Sequence, residues 1–376
     1  MMPVPRVPFG DLARQHAVLQ RELEDSALRV LRRGWYVLGE EVSAFEREFA
    51  AWVGATECVG CASGTEAITL ALMAHGIGPG HCVITVPNTC VPTVSGIRAA
   101  GAEVRFCDVD PQTALMDPAA LERELHAHRA SAVVAVHLYG QPADLEAIAA
   151  VAGRHGAVLI EDAAQAHGAE YLNKRIGSHG NTVCWSFYPS KNLGAAGDGG
   201  AVTTLSPQLA GKLRMLRNYG QQRRYYHALE GINSRLDELQ AAILRAKLVH
   251  LEQWNKRRRT IAARYRQEIN HPGLRMLNPR PGALSCEHLF PIFVSSREAF
   301  MQHLDTQGVD CLIHYPIPIH LQEAFSFLGY ERGRFPAAEM LCDTEVSLPM
   351  FPELTDAEVS RVIRAVNSAP VPDPGP

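Results

Sequence analysis

Apolar positions in the first fifty residues fall at helical spacing. Ala13, Val18, Leu19, Leu23, Leu28 and Leu31 predict a helix from Leu12 to Arg33, with Asp11 placed to cap it. Val42, Phe45, Phe49 and Trp52 recur every three or four residues and predict one face of a second amphipathic helix. From about residue 58 to 205 the pattern alternates. Short β-rich runs at Val83–Val86, Glu103–Cys107, Ala132–Val136, Ala157–Ile160, Thr182–Phe187 and Ala201–Thr204 read as strands. Helical stretches at Thr65–His75, Val91–Ala100, Pro118–His126 and Ala143–Arg154 separate most of them. This alternation predicts an α/β fold, a mostly parallel central sheet flanked by helices. The strands are apolar nearly throughout, as a sheet covered on both faces requires.

A longer helical pattern runs from Arg235 to about Ile269, with Ser234 as its expected cap and Asp237 three residues on. A helix of that length is expected to bridge two domains. Beyond it the character changes. Leu289–Val294 and Val309–Tyr315 read as strands, and Thr355-Asp356-Ala357-Glu358 is a capping box opening a last helix through Val366. The chain therefore divides into a large domain, 1–250, and a smaller α+β C-terminal domain, 251–376. The tail from Ala369 holds four prolines and is expected to be disordered.

Bulk properties narrow the function classes. A chain of 376 residues is long enough for two domains. Its formal net charge of −4 offers no basic footprint for nucleic acid. No apolar run reaches the length of a membrane span, and the first residues lack the core of a signal peptide, so a cytoplasmic protein is expected. Nine cysteines, an odd number, fit a reducing compartment. Cys58 and Cys61 have CxxC spacing but no second pair, and read as residues of a buried strand. The sixteen histidines have no metal-site spacing, and His126 and His128 read as solvated.

Ligands of open α/β sheets bind at the carboxyl ends of strands. One such end carries Glu161 to Gly168, including Asp162 and Gln165; the next carries Tyr188-Pro189-Ser190-Lys191. A salt bridge on the sheet rim would explain the carboxylate and lysine equally well. Ala62-Ser63-Gly64-Thr65 opens a helix whose bare amides suit a phosphate, although Ser63 would also serve as an ordinary cap. Gly76-Ile77-Gly78-Pro79-Gly80 follows a helix and reads as a turn, not a dinucleotide fingerprint. Together, phosphate cradle, carboxylate and lysine meet the needs of pyridoxal 5'-phosphate (PLP): amides for the phosphate, a carboxylate to keep the pyridine nitrogen protonated, and an amine for the aldehyde.

The sequence resembles the DegT/DnrJ/EryC1/StrS family of PLP-dependent sugar aminotransferases, of the aspartate-aminotransferase (fold type I) architecture. Val136-His137-Leu138-Tyr139-Gly140, Glu161 to Gly168, Ser186 to Gly200, and Gly231 to Glu238 carry the resemblance, which covers nearly the whole chain. It implies Lys191 as the Schiff-base lysine and proton shuttle, Asp162 on the pyridine nitrogen, and Gln165 on the ring hydroxyl. It implies Ser186, Gly64 and Thr65 on the phosphate, with Asn233 reaching the phosphate from the partner subunit of a homodimer with shared active sites. His167 would pack behind the cofactor loop. The family usually places an aromatic residue where Cys90 stands in Pro87-Asn88-Thr89-Cys90, so this cysteine would pack on the ring with less area. A dehydratase branch carries histidine at the position of Lys191, so lysine favours amino transfer.

The resemblance further implies an amino-acid donor, L-glutamate, and a nucleotide-linked keto sugar as acceptor. His314-Tyr315-Pro316-Ile317-Pro318-Ile319-His320 looks like members that aminate C3 of a 3-keto-6-deoxyhexose, with Tyr315 and His320 facing the substrate. Arg235, with Arg223 and Arg224, would meet the diphosphate. Amination at C4, a keto-cyclitol substrate, and a non-catalytic PLP-binding regulator are the rival readings.

Overall fold

The computed structural model describes residues 6–371. Seven strands form the central sheet: β1 (Glu57–Cys61), β2 (Cys82–Thr85), β3 (Glu103–Phe106), β4 (Ala132–Val136), β5 (Val158–Asp162), β6 (Thr182–Ser186) and β7 (Gly200–Thr204). Their spatial order is β1-β7-β6-β5-β4-β2-β3. Neighbours from β6 to β3 are parallel, and β7 is antiparallel to both β6 and β1. Every residue of β4, β6 and β7 is buried, as their apolar sequences require. The mostly parallel α/β sheet expected from the alternation is what forms.

Of helices α1 (Leu12–Arg33), α2 (Glu40–Val53), α3 (Gly64–Ala74), α4 (Val91–Ala99), α5 (Pro118–Ala127), α6 (Leu145–Arg154) and α7 (Pro207–Leu216), α2, α3, α4, α6 and α7 pack on this sheet, α5 packs against α6, and α1 against the later helix Glu238–Leu248. Asp11 caps α1, its carboxylate accepting from the Arg14 amide at 3.1 Å. Cys58 and Cys61 are free and buried on β1, and burial pushes the Cys61 thiol up to about 12. They are inert strand residues.

The single long helix expected from Arg235 is two helices, α8 (Glu238–Leu248) and α9 (Leu251–Glu268). Ser234 caps neither. Its hydroxyl accepts from the Ala62 amide and donates to Glu66, tying this segment to the start of α3. The apolar spacing continues across the break because α8 buries Ala241 and Leu244 in the main core, while α9 buries Ile261 and Tyr265 in a second one. Periodicity registers burial and not a change of partner.

The second core gathers around the antiparallel strands β8 (Leu274–Met276), β9 (Phe290–Val294) and β10 (Glu345–Leu348), with α10 (Arg297–Thr306), α11 (Pro336–Thr344) and α12 (Asp356–Asn367). Val309–Tyr315 is not a strand. It makes single bridges, Val309 to Val7 and Leu312 to Ser347, because the chain turns off towards the cavity described below. The Thr355–Glu358 capping box opens α12 as expected. Of the tail expected to be disordered, residues 372–376 lie outside the described residues, whereas Ala369 is buried in the second core. Among the described residues no helix is long and apolar enough to cross a membrane.

Candidate active site

A cavity of about 820 Å³ opens at the carboxyl ends of β4, β5 and β6. One wall is built on the start of α3. The Ser63 hydroxyl accepts from the Glu66 amide at 3.2 Å, which places Gly64 and Thr65 at the positive end of the helix, facing the cavity. Ser186, the last residue of β6, stands beside them. A Cβ on Gly64 would lie 2.6 Å from the Ser186 Cβ, and one on Gly200 would lie 2.3 Å from the Ser63 carbonyl oxygen. Only glycine lets these backbones come this close.

Asp162 ends β5 and is buried. One carboxylate oxygen accepts from the Thr93 hydroxyl at 2.7 Å, the other from the Ala164 amide at 3.1 Å. Thr93 is in turn 2.8 Å from the Thr89 hydroxyl. Thr89, just before α4, and Thr93 within it were not singled out in the sequence, and no local pattern marks them. Gln165 accepts from the Tyr139 amide at 2.5 Å and donates to the Tyr315 hydroxyl at 3.3 Å. Tyr139 donates to the His314 carbonyl at 2.7 Å. Gln165 and Tyr139 thus tie the strand ends to the segment His314–Tyr315.

Lys191 follows β6 on a turn closed by its own amide to the Tyr188 carbonyl at 2.9 Å. Its ammonium is held below the usual lysine range by burial, which Cys90 and Asp162 partly oppose. The next residue anchors the turn. Asn192 donates to Asn255 of α9 and to the Cys286 carbonyl, and bonds His288 at 3.0 Å. Cys90 lines the same cavity as Tyr315, whose phenol is pushed well above its usual value by burial, with Cys90 and Asp162 adding.

Eight residues expected at the site therefore share one cavity: Gly64, Thr65, Cys90, Asp162, Gln165, Ser186, Lys191 and Tyr315. Five do not line it: His320, Asn233, Arg223, Arg224 and Arg235. His320 is a correction. It is buried outside the cavity, bonded to Glu339 at 3.0 Å and packed edge-on against Phe335. His314, passed over in the sequence, lines the cavity instead. Arg235 donates to Asn218 at 2.9 Å beside Tyr219, and Asn233 is exposed in a bridge to Asn218. Arg223 and Arg224 lie on an exposed hairpin, stacked on Tyr226 and Tyr225. His167 packs against Trp185 and Phe187 behind the Lys191 turn, and burial pulls it down to about 3. His126 sits at the surface in a cluster with Glu122 and His155, where Arg154 bonds the same carboxylate. α5 supplies Glu122 and His126 and the C-cap of α6 supplies His155, so no spacing announced the cluster.

The chain matches the DegT/DnrJ/EryC1/StrS aminotransferase family over residues 18–367. It belongs to that family. It is similar to the dTDP-3-amino-3,6-dideoxy-alpha-D-galactopyranose transaminase of Aneurinibacillus thermoaerophilus, 45% identical over 96% of this chain and 99% of that one. It is similar to the dTDP-3-amino-3,4,6-trideoxy-alpha-D-glucose transaminase of Streptomyces venezuelae, 43% identical over 96% of each. The crystal structure of S. venezuelae DesV in complex with a ketimine intermediate superimposes with a TM-score of 0.94 at 43% identity, covering 97% of this chain and 98% of that one. The chain is thus an aminotransferase, and the family's cofactor is PLP. The residues present fit it: a helix start on which only glycine fits, a buried hydrogen-bonded carboxylate, and a lysine amine eased towards its neutral form.

Proposed function

We propose that this aminotransferase moves an amino group from L-glutamate to C3 of a nucleotide-linked 3-keto-6-deoxyhexose. The observation that carries the reading is the meeting of Lys191, Asp162 and the Gly64–Thr65 helix start in one cavity. The names of the relatives above support a 3-amino sugar as product. PLP bound there would supply an aldehyde for amino exchange and a ring that takes up electrons.

The residues of the chain divide the remaining work. Gly64, Thr65 and Ser186 would hold the phosphate, Asp162 the ring nitrogen and Gln165 the ring hydroxyl. Thr93 would hold the Asp162 carboxylate correctly turned. Lys191 would move the proton at the reacting carbon, which needs an amine that spends part of its time neutral. The lowered value of Lys191 supports that role. A homodimer with shared sites is part of the proposal. Asn233, Arg223, Arg224 and Arg235 lie off this chain's own cavity, and in a dimer they would reach the phosphates of ligands bound by the partner.

The test is a panel of 3-keto and 4-keto nucleotide sugars offered to the PLP-loaded enzyme with L-glutamate, with Lys191→Ala alongside. Product amination at C3 in the wild type and none in Lys191→Ala is the expected outcome. Full turnover in Lys191→Ala, or amination of the 4-keto sugar alone, would sink the reading.

A further inference from the structure

Two side chains of β10, on the face opposite Val346 and Leu348 of the second core, connect through hydrogen bonds to His314 at the cavity. Glu345, the first residue of β10, is fully buried. Its Oε2 accepts from the His314 amide at 2.6 Å, and its Oε1 lies 2.5 Å from the Ser347 hydroxyl. That hydroxyl lies 2.9 Å from Nδ1 of His314. The His314 ring is stacked on Phe9 at 5.5 Å and lines the cavity. Its Nε2 has no hydrogen-bond partner among the described residues.

A serine hydroxyl carries one proton, so the direction of this chain of bonds is decided at its buried end. With Glu345 ionised, Ser347 donates to the carboxylate and can only accept from His314. The imidazole then holds its proton on Nδ1, and Nε2 is an acceptor. With Glu345 protonated on Oε1, the carboxyl donates to Ser347 and Ser347 donates to Nδ1. The imidazole proton then sits on Nε2. We propose that Glu345 and Ser347 are positioning residues that set the tautomer of His314, so that Nε2–H is a donor to an oxygen of the carbonyl acceptor. This rests on the reading of the cavity as an aminotransferase site for a keto sugar.

The surroundings favour the donor form at neutral pH. Burial pushes Glu345 up to about 8, although Ser347, the His314 amide and Arg297 of α10 pull the other way. His314 itself stays neutral, held at about 4 by burial and then by Lys191. The other titratable groups that face the relay are His288 and the edge-on ring of Tyr315 beside His314, and Tyr139, Cys311 and Cys342 beside Glu345. None of these side chains hydrogen-bonds the Glu345 carboxyl among the described residues. Above pH 8 the carboxylate forms, and His314 turns from donor to acceptor. A carbonyl or an ether oxygen of the acceptor would then lose its partner.

The experiment is nitrogen NMR of the PLP-loaded enzyme carrying 15N-histidine, with His314→Gln used to assign the signal. The expected result is a change of His314 from the Nε2–H to the Nδ1–H tautomer with a midpoint near pH 8. In Glu345→Gln the carboxamide accepts from the His314 amide and donates to Ser347, so the Nε2–H form should persist throughout. Ser347→Ala should raise the KM for the keto acceptor ~10-fold, while glutamate-driven release of 2-oxoglutarate in a single turnover stays within about twofold. A single His314 tautomer from about pH 6 to about 10 in the wild type would overturn the relay. So would equal losses in the two half-reactions of Ser347→Ala. The NMR arm needs no sugar, so a wild type that ignores every keto sugar would count against the proposed function while the tautomer still decides the relay.

Discussion

Gly64 decides the phosphate wall by what it lacks. Its position beside Ser186 leaves no room for a methyl group, and the backbone amides it exposes are the donors a phosphate needs. Gly64→Ala should force α3 and β6 apart, raising the PLP dissociation constant ~10-fold or more with little change in far-ultraviolet circular dichroism. An absorbance titration with PLP reads this; unchanged affinity would remove Gly64 from the cradle. The position of a candidate residue was legible at this scale where it sits at a strand end or helix start, as for Asp162, Lys191, Gly64 and Thr65, which line one cavity. It was not legible where a loop's path chooses between neighbours. His314 and His320 are six apart in one proline-rich motif, and the turn after Pro318 sends His320 to Glu339 and leaves His314 at the cavity. Thr93 was invisible for a similar reason, since its meaning comes from a carboxylate 69 residues away.

At the scale of elements, the cap residues did what their chemistry dictates. Asp11, Ser63 and Thr355 each bond the first-turn amides of α1, α3 and α12. Glu358 adds a tertiary link, because Arg14 of α1 grips its carboxylate at 2.8 and 2.9 Å. Bonding to Arg14, followed by the Thr355 bonds, outweighs burial and holds Glu358 down at about 2, against an ordinary 4.5. A carboxylate lowered on folding stabilises fully above its unfolded value, and that contribution is lost as pH falls from 4.5 towards 2. Glu358→Gln should therefore cost ~1–2 kcal/mol at neutral pH. The gap from wild type in urea midpoint should narrow on acidification through that window. A gap independent of pH would contradict the assignment. The helix expected from Arg235 to Ile269 shows the limit of local pattern. The spacing of apolar residues ran on, but the helix breaks at Val249–His250, and its buried residues pass from one core to the other. Strand Val309–Tyr315 failed likewise, its apolar run matched by isolated bridges and not a ladder.

At the scale of the whole molecule, the alternation of strands and helices was enough to give the sheet, because a parallel sheet covered on both faces leaves few other arrangements. What a single chain leaves open is who completes the cavity. If Asn233 serves the partner's cofactor phosphate, Lys191→Ala and Asn233→Asp should each be inactive as homodimers. Their refolded mixture should recover about a quarter of wild-type activity, from one intact site per mixed dimer. No recovery would place Asn233 in its own subunit's site, and an active Asn233→Asp homodimer would place it outside catalysis. The most direct test of the account remains the cofactor. The absorbance spectrum of the enzyme is recorded with PLP and again after L-glutamate, for wild type and Lys191→Ala. A visible band from the protein-bound cofactor should form in the wild type and be bleached by glutamate, and should never form in the variant. A wild-type spectrum without that band, or a variant that matches the wild type, would contradict the role of Lys191 and with it the reading of the cavity.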